Sequence, residues 1–99
     1  MAKTETYYGT GRRKCAIARV WVKRGAGNIV INGKPMKDYL GRPVLEILVN
    51  SPLVHLAMDG TFDVVATAKG GGIAGQAGAV KLGISRALVE YDSDLRKEL

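Results

Sequence analysis

Between Ile73 and Tyr91 the apolar residues Ile73, Ala77, Val80, Ile84, Ala87, Leu88 and Tyr91 fall at three- and four-residue steps, one face of a helix. The same stretch holds Gly75, Gly78, Ala79 and Gly83. A glycine costs a helix interior up to about 1 kcal/mol relative to alanine. Such a helix persists only where something returns that cost, either tight packing on a sheet or the close approach of a ligand backbone. The pattern therefore excludes a free-standing helix and calls for a layered fold.

The strands for that second layer lie upstream. Residues 7–24 read as one strand, with Ala16, Ala18, Val20 and Val22 on one face and Cys15, Ile17, Arg19, Trp21 and Lys23 on the other. Gly25 to Asn28 is a turn, and Ile29-Val30-Ile31 resumes as the second arm of a hairpin. Asn32-Gly33 forms another tight turn, since both residues tolerate positive φ. Pro35 opens a short helix over Met36 to Leu40, stopped by Gly41. Pro43 opens another over Val44 to Val49, and Ser51-Pro52 caps and opens a further turn. Asp59-Gly60 leads into a strand from Phe62 to Lys69, and Ser93 with Asp94 caps a last turn from Leu95 to Leu99. The expected fold is a single α+β unit over residues 1–99. It is a two-layer sandwich with a sheet of about four strands and helices on one face.

Charge is distributed unevenly. Residues 1–24 carry seven Lys or Arg against Glu5 alone, while residues 25–99 carry eight of each sign, so the net +6 resides in the first quarter of the chain. Such asymmetry points to a polyanionic partner, nucleic acid or an acidic membrane surface. Within it, Gly9-Thr10-Gly11-Arg12-Arg13-Lys14 sets three cations in permissive backbone. Arginine pairs bidentately with phosphate, and Tyr7 and Tyr8 add rings on which unpaired bases can stack. The bland alternative is a solvated basic strand end. Phosphate contacts of this type position a nucleic acid without reading its sequence.

The second candidate is Lys69-Gly70-Gly71-Gly72, which joins the last strand to the long helix. A glycine loop at a helix start leaves N–H groups pointing outward, where the helix dipole favours an anion. Three readings stay open: tight internal packing, an RNA phosphate at the helix start, or a small nucleotide. The run matches neither a P-loop nor a dinucleotide fingerprint, which weighs against the third. Gln76 serves either as a polar contact or as a hydrogen bonder at the helix start.

Catalysis finds little support. His55 stands between Val54 and Leu56, where a lone histidine is expected to be partly buried and satisfied. Cys15 beside Lys14 has no identifiable partner base. Asp59, Asp63, Glu90, Asp92 and Asp94 read as turn and helix-end acids. One Cys and one His, forty positions apart, do not suggest a structural zinc site, and no intrachain disulfide is possible. No apolar run approaches a membrane span, and the N-terminus lacks the apolar core of a secretory signal. The expectation is a cytoplasmic, non-enzymatic chain with no cofactor, metal, membrane or small-molecule substrate.

The segment Tyr7-Tyr8-Gly9-Thr10-Gly11-Arg12-Arg13-Lys14, followed by Ala18-Arg19-Val20, resembles the N-terminal strand of the bacterial small-subunit ribosomal protein S-nine family. Lys69-Gly70-Gly71-Gly72 through Gly75-Gln76-Ala77-Gly78-Ala79, then Gly83-Ile84 and Arg86-Ala87-Leu88, is similar to that family's signature helix. Tyr91-Asp92 and Leu95-Arg96 continue the likeness, while Val44 to Met58 agrees mainly in pattern. The resemblance implies a βαβ unit with a left-handed crossover, against the usual preference. It implies ribosomal RNA binding in the subunit head, beside neighbouring head proteins, in support of translation. RNA contact carries over to Arg12, Arg13, Lys14 and Arg19, then Lys69, Gly70, Gly71, Gly72, Gln76 and Arg86. Members of that family normally continue in a strongly basic tail that approaches P-site tRNA. This chain stops at Leu99, so the tRNA contact falls on no residue here. Two other readings are carried: a small nucleotide-binding enzyme using Gly70–Gly72, and a nucleic-acid adaptor outside the ribosome.

Overall fold

Small residues on one side of a strand allow a helix to lie directly on its backbone, and this chain places them on both partners. The structure is a computed structural model that describes residues 6–13, 15–55 and 62–91. In chain order the elements are β1 (Thr6–Arg13), β2 (Ala16–Arg24), β3 (Ile29–Ile31), β4 (Lys34–Pro35), α1 (Met36–Leu40), α2 (Pro43–His55), β5 (Phe62–Lys69) and α3 (Gly72–Tyr91). The strands form one mixed sheet in the order β1-β2-β5-β3-β4. Only β3 and β5 run parallel, joined by a crossover through β4, α1 and α2. The α+β sandwich expected from the sequence is present, with a fifth strand of two residues added by β4.

The helical layer packs on one face of the sheet. Ala16, Ala18, Val20 and Val22 of β2 are buried there with Ile29, Ile31, Phe62, Val64 and Ala66. They meet Val49 and Leu53 of α2 and Ala77, Val80, Ile84, Ala87 and Leu88 of α3. The helical period read between Ile73 and Tyr91 is thus the core face, although Ile73 itself turns outward. A β-carbon built on Gly11 would lie 1.8 Å from the Ala79 carbonyl oxygen, and one on Gly9 would lie 2.2 Å from that of Gly83. Gly83 is equally constrained, with Val20 Cγ2 2.4 Å from its would-be β-carbon. Tight packing therefore accounts for Gly83. Gly75 has ordinary contact distances and is not required by it.

Four local expectations are corrected. Residues 7–24 are two strands, β1 and β2, joined by a turn that contains Cys15. The strand after Gly25–Asn28 does not pair with β2, because β5 lies between them. The cause is Asp63. Its Oδ1 accepts the N–H groups of Ala26, Gly27 and Asn28 at 3.0, 3.1 and 3.0 Å, and Val64 N–H donates to the Asn28 carbonyl at 2.8 Å. The turn is drawn across the start of β5, so the chain re-enters on its far side. Third, Pro43 to His55 is one helix with Pro52 inside it. Pro52 cannot donate to the Leu48 carbonyl one turn back, and the Ser51 hydroxyl donates there instead at 2.7 Å. Ser51 is therefore a repair of the helix rather than a cap. Fourth, His55 is exposed at the helix end rather than partly buried.

Other turns agree with the sequence. Asn32 and Gly33 take positive φ of 51° and 79° between β3 and β4, and Gly41 ends α1 at φ 66°. The expectations at Asp59-Gly60, Ser93-Asp94 and Leu95 to Leu99 lie outside the described residues.

Gly11→Ala should destabilise by about 3 kcal/mol, because backbone must move to admit the methyl. Gly75→Ala should be neutral or stabilising by up to ~1 kcal/mol; urea midpoints of the two variants check the contrast. The Asn28 N–H above all, with those of Ala26 and Gly27 and the Lys23 charge, holds the Asp63 carboxyl below its usual 3.8. A depressed carboxyl stabilises the fold above the unfolded value and loses that contribution as pH falls below it. Urea midpoints should therefore drop below about pH 4, and Asp63→Asn should lower the midpoint at neutral pH and flatten the acid limb.

Candidate nucleic-acid interface

Side chains alternate across a strand, so the face of the sheet opposite the helices collects every second residue. The register aligns these residues in rows. Arg12 stands beside Ile17 and Lys69, Thr10 beside Arg19 and Thr67, and Tyr8 beside Trp21 and Val65. Three cations distant in sequence, Arg12, Arg19 and Lys69, thus share one open face. They line a hollow of about 670 Å³ with Thr10, Thr67 and Tyr8. Among the described residues none supplies these three cations with a hydrogen bond or ion-pair partner. Asp63 stands on the same face two positions beyond Val65, with Oδ1 occupied by backbone N–H groups.

The same alternation divides the basic arm. Arg13 points to the helical side, where its Cγ would lie 3.0 Å from a β-carbon on Gly78. It lines a second groove of about 390 Å³ with Gly71, Gly75, Gly78 and Lys81. Tyr7 and Tyr8 part likewise. Tyr7 meets Tyr91 edge-on at 5.1 Å, and Tyr91 meets Phe62 at 5.2 Å. Only Tyr8 remains on the open face, so the expectation of two rings for bases is corrected to one from that pair. Lys14 lies outside the described residues.

The glycine loop is shaped first by the protein itself. Gly70, Gly71 and Gly72 all have positive φ, from 68° to 80°. β-carbons on Gly70 and Gly71 would lie 2.6 Å from the Cys15 carbonyl oxygen and 2.7 Å from the Ala16 nitrogen. Gly72 faces open space, and no acid stands in the first turn of α3. Gln76 is a bonder of the helix start. Its Nε2 donates to the Gly70 carbonyl at 3.2 Å, and its Oε1 accepts the Tyr39 hydroxyl. Tyr39 in turn accepts from Asn32 Nδ2 at 3.0 Å. The Asn32 amide also exchanges two hydrogen bonds with the Ala68 backbone, at 2.8 and 2.9 Å. A side chain thereby extends the β3–β5 ladder and ties the loop to α1 and β5. Arg86 on α3 donates from Nη1 to the Thr10 carbonyl at 2.8 Å and clasps β1 to the helix.

Sequence reasoning missed Trp21, whose position on the mixed face of β2 was visible but whose neighbours were not. It missed the side-chain hydrogen bonds of Asn32 and Tyr39. Among the described residues no group of three or more His, Cys, Asp or Glu is placed to hold a metal ion, and no helix is long and apolar enough to cross a membrane.

A family model described as Ribosomal protein S9/S16 matches residues 11–99, which include Gly11 to Lys14 of the basic arm, the glycine loop and α3. The chain belongs to the ribosomal protein S9/S16 family. Its role is accordingly that of a small-subunit ribosomal protein, a component of a ribonucleoprotein engaged in translation. In this S9/S16 member Gly9 and Gly11 of β1 meet Ala79 and Gly83 of α3, and Arg86 bonds Thr10 across the same seam.

Removing the Tyr39 hydroxyl breaks both bonds of the Asn32–Tyr39–Gln76 chain. Tyr39→Phe should destabilise the fold by about 1–2 kcal/mol, and hydrogen exchange should show faster opening at the N–H groups that begin α3.

Proposed function

We propose that this chain is a non-enzymatic constituent of the small-subunit head that binds ribosomal RNA through the open sheet face. The observation that carries the reading is the convergence of Arg12, Arg19 and Lys69 on the sheet face opposite the helices, without hydrogen-bond or ion-pair partners among the described residues. Family membership supplies the class of polyanion. Phosphates pair with the arginine forks on this face, and Thr67 supplies a neutral donor between them. The start of α3 is a second contact. There a β-carbon on Gly72 would meet open space, and Arg13 and Lys81 line the groove that runs from Gly71 along the helix. Lys14 belongs with these contacts by its place in the arm. Gln76 and Arg86 act mainly inward, holding the loop and β1 in place for RNA. The chain works in the cytoplasm on the assembled ribosome, among the other head proteins, and residues 1–99 act as one RNA-binding unit. We assign no tRNA contact within them.

The salt dependence of binding tests this reading. With about five phosphate contacts, log affinity for small-subunit RNA should fall against log salt with a slope of about −3.5 to −4.5. Arg12→Ala with Arg19→Ala should flatten that slope by roughly 1.4–1.8, with the fold retained by circular dichroism. Arg13→Ala should act separately, through the helix side. A flat salt response of the unaltered chain would refute the mechanism.

A further inference from the structure

The open face carries more than charge. Tyr8, Trp21, Val65 and Val30 align through the register into a band across four strands. Tyr8 and Val65 are each 45% exposed, and Trp21 is half-buried beside them. The Tyr8 and Trp21 rings pack with centroids 5.3 Å apart, tilted at 49°, and the Thr10 hydroxyl donates to the Tyr8 oxygen at 3.2 Å. The rings are therefore held in place and partly bare. A soluble protein gains nothing from exposing such a band unless something covers it.

The neighbouring rows identify the occupant. Arg19 stands one row from the aromatic band, and Arg12 and Lys69 stand one row further. Two residues along a strand span about 7 Å, so flat apolar rings and cations alternate at the scale of a nucleotide. An acidic peptide would satisfy the cations but has no π surface for the rings. Duplex RNA keeps its base faces stacked inside and offers only phosphates and groove edges. An unpaired RNA segment offers both chemistries at once.

We infer that Tyr8 and Trp21 form a stacking platform for unpaired RNA bases, with Arg19, Arg12 and Lys69 holding the adjoining phosphates. This rests on the RNA-binding reading above and narrows it from RNA in general to a single-stranded element. Stacking tolerates any base, so the platform selects for strandedness rather than sequence.

Trp21 is the only tryptophan in the chain, so its fluorescence reports on the platform alone. The full chain is titrated with short unstructured oligoadenylate, with an RNA duplex and with polyglutamate. Oligoadenylate should quench Trp21, and the duplex should bind with much less quenching. Trp21→Ala should weaken oligoadenylate binding about tenfold with the salt slope unchanged, whereas Trp21→Phe should stay within about threefold of the original. Circular dichroism establishes that Trp21→Ala is folded, and Tyr8→Ala gives a second removal of a ring should it not be. Salt-dependent binding without quenching, and without loss on removing either ring, would overturn the platform while leaving the RNA reading intact. Equal quenching by polyglutamate would assign the face to an acidic polypeptide and overturn it too. Failure of both RNAs to bind at any salt would remove the RNA reading itself.

Discussion

The structure depends on a contact between two backbones. Gly75, Ala79, Gly83 and Ala87 recur every fourth residue along α3, and Arg13, Gly11, Gly9 and Tyr7 recur every second residue along β1 in the opposite sense. Four helical residues rise about 6 Å and two strand residues about 7 Å. The two repeats are nearly commensurate, so in the middle of the shared length Gly11 and Gly9 meet Ala79 and Gly83. Without side chains between them, α3 settles onto β1 and the Val20 methyls touch Gly83. Dispersion attraction at this proximity offsets what the glycines cost in helix and strand propensity. β1 is an edge strand, and this seam, with the Arg86 bond to Thr10, holds it against the body.

Polar side chains then determine where the chain goes between its elements. Asp63 gathers three N–H groups and sends the chain past β5, which makes β3 parallel to β5 rather than a hairpin partner of β2. Asn32 continues the ladder where β3 ends, and its link through Tyr39 and Gln76 fixes the glycine loop at the mouth of α3. Asp63 and Asn32 bond backbone 35 to 37 residues away in sequence. They act as long-range backbone mimics, and they are the reason so short a chain can support a crossover.

This division explains what could be read from the residues. Periodicity is a local property, so the core faces of β2 and α3, the strand from Phe62 to Lys69 and the Asn32-Gly33 and Gly41 turns were all legible. The cationic arm was legible as charge, but not its partition between two faces, because the break after Arg13 is set by pairing with β2. Asp63 looked like an ordinary turn acid, and only its partners at Ala26 to Asn28 reveal that it redirects the chain. Pro52 looked like a helix start, since its accommodation rests on a hydroxyl one residue earlier. Arg19 and Lys69 were named separately. Their convergence with Arg12, and the presence of Trp21 beside them, required the sheet order.

The alternation along β1 has a consequence for how such a protein can change. In Thr6 to Arg13 the core-side positions are frozen by contact with α3, while the side chains of Tyr8, Thr10 and Arg12 face the open side of the sheet. Odd and even positions of one strand answer to different demands, one set to folding and the other to whatever lies on the surface. Substitutions in the two sets should combine additively where they share no neighbour. The strand is thus two interleaved texts, and the outward one can be rewritten for a new partner without reopening how the chain folds.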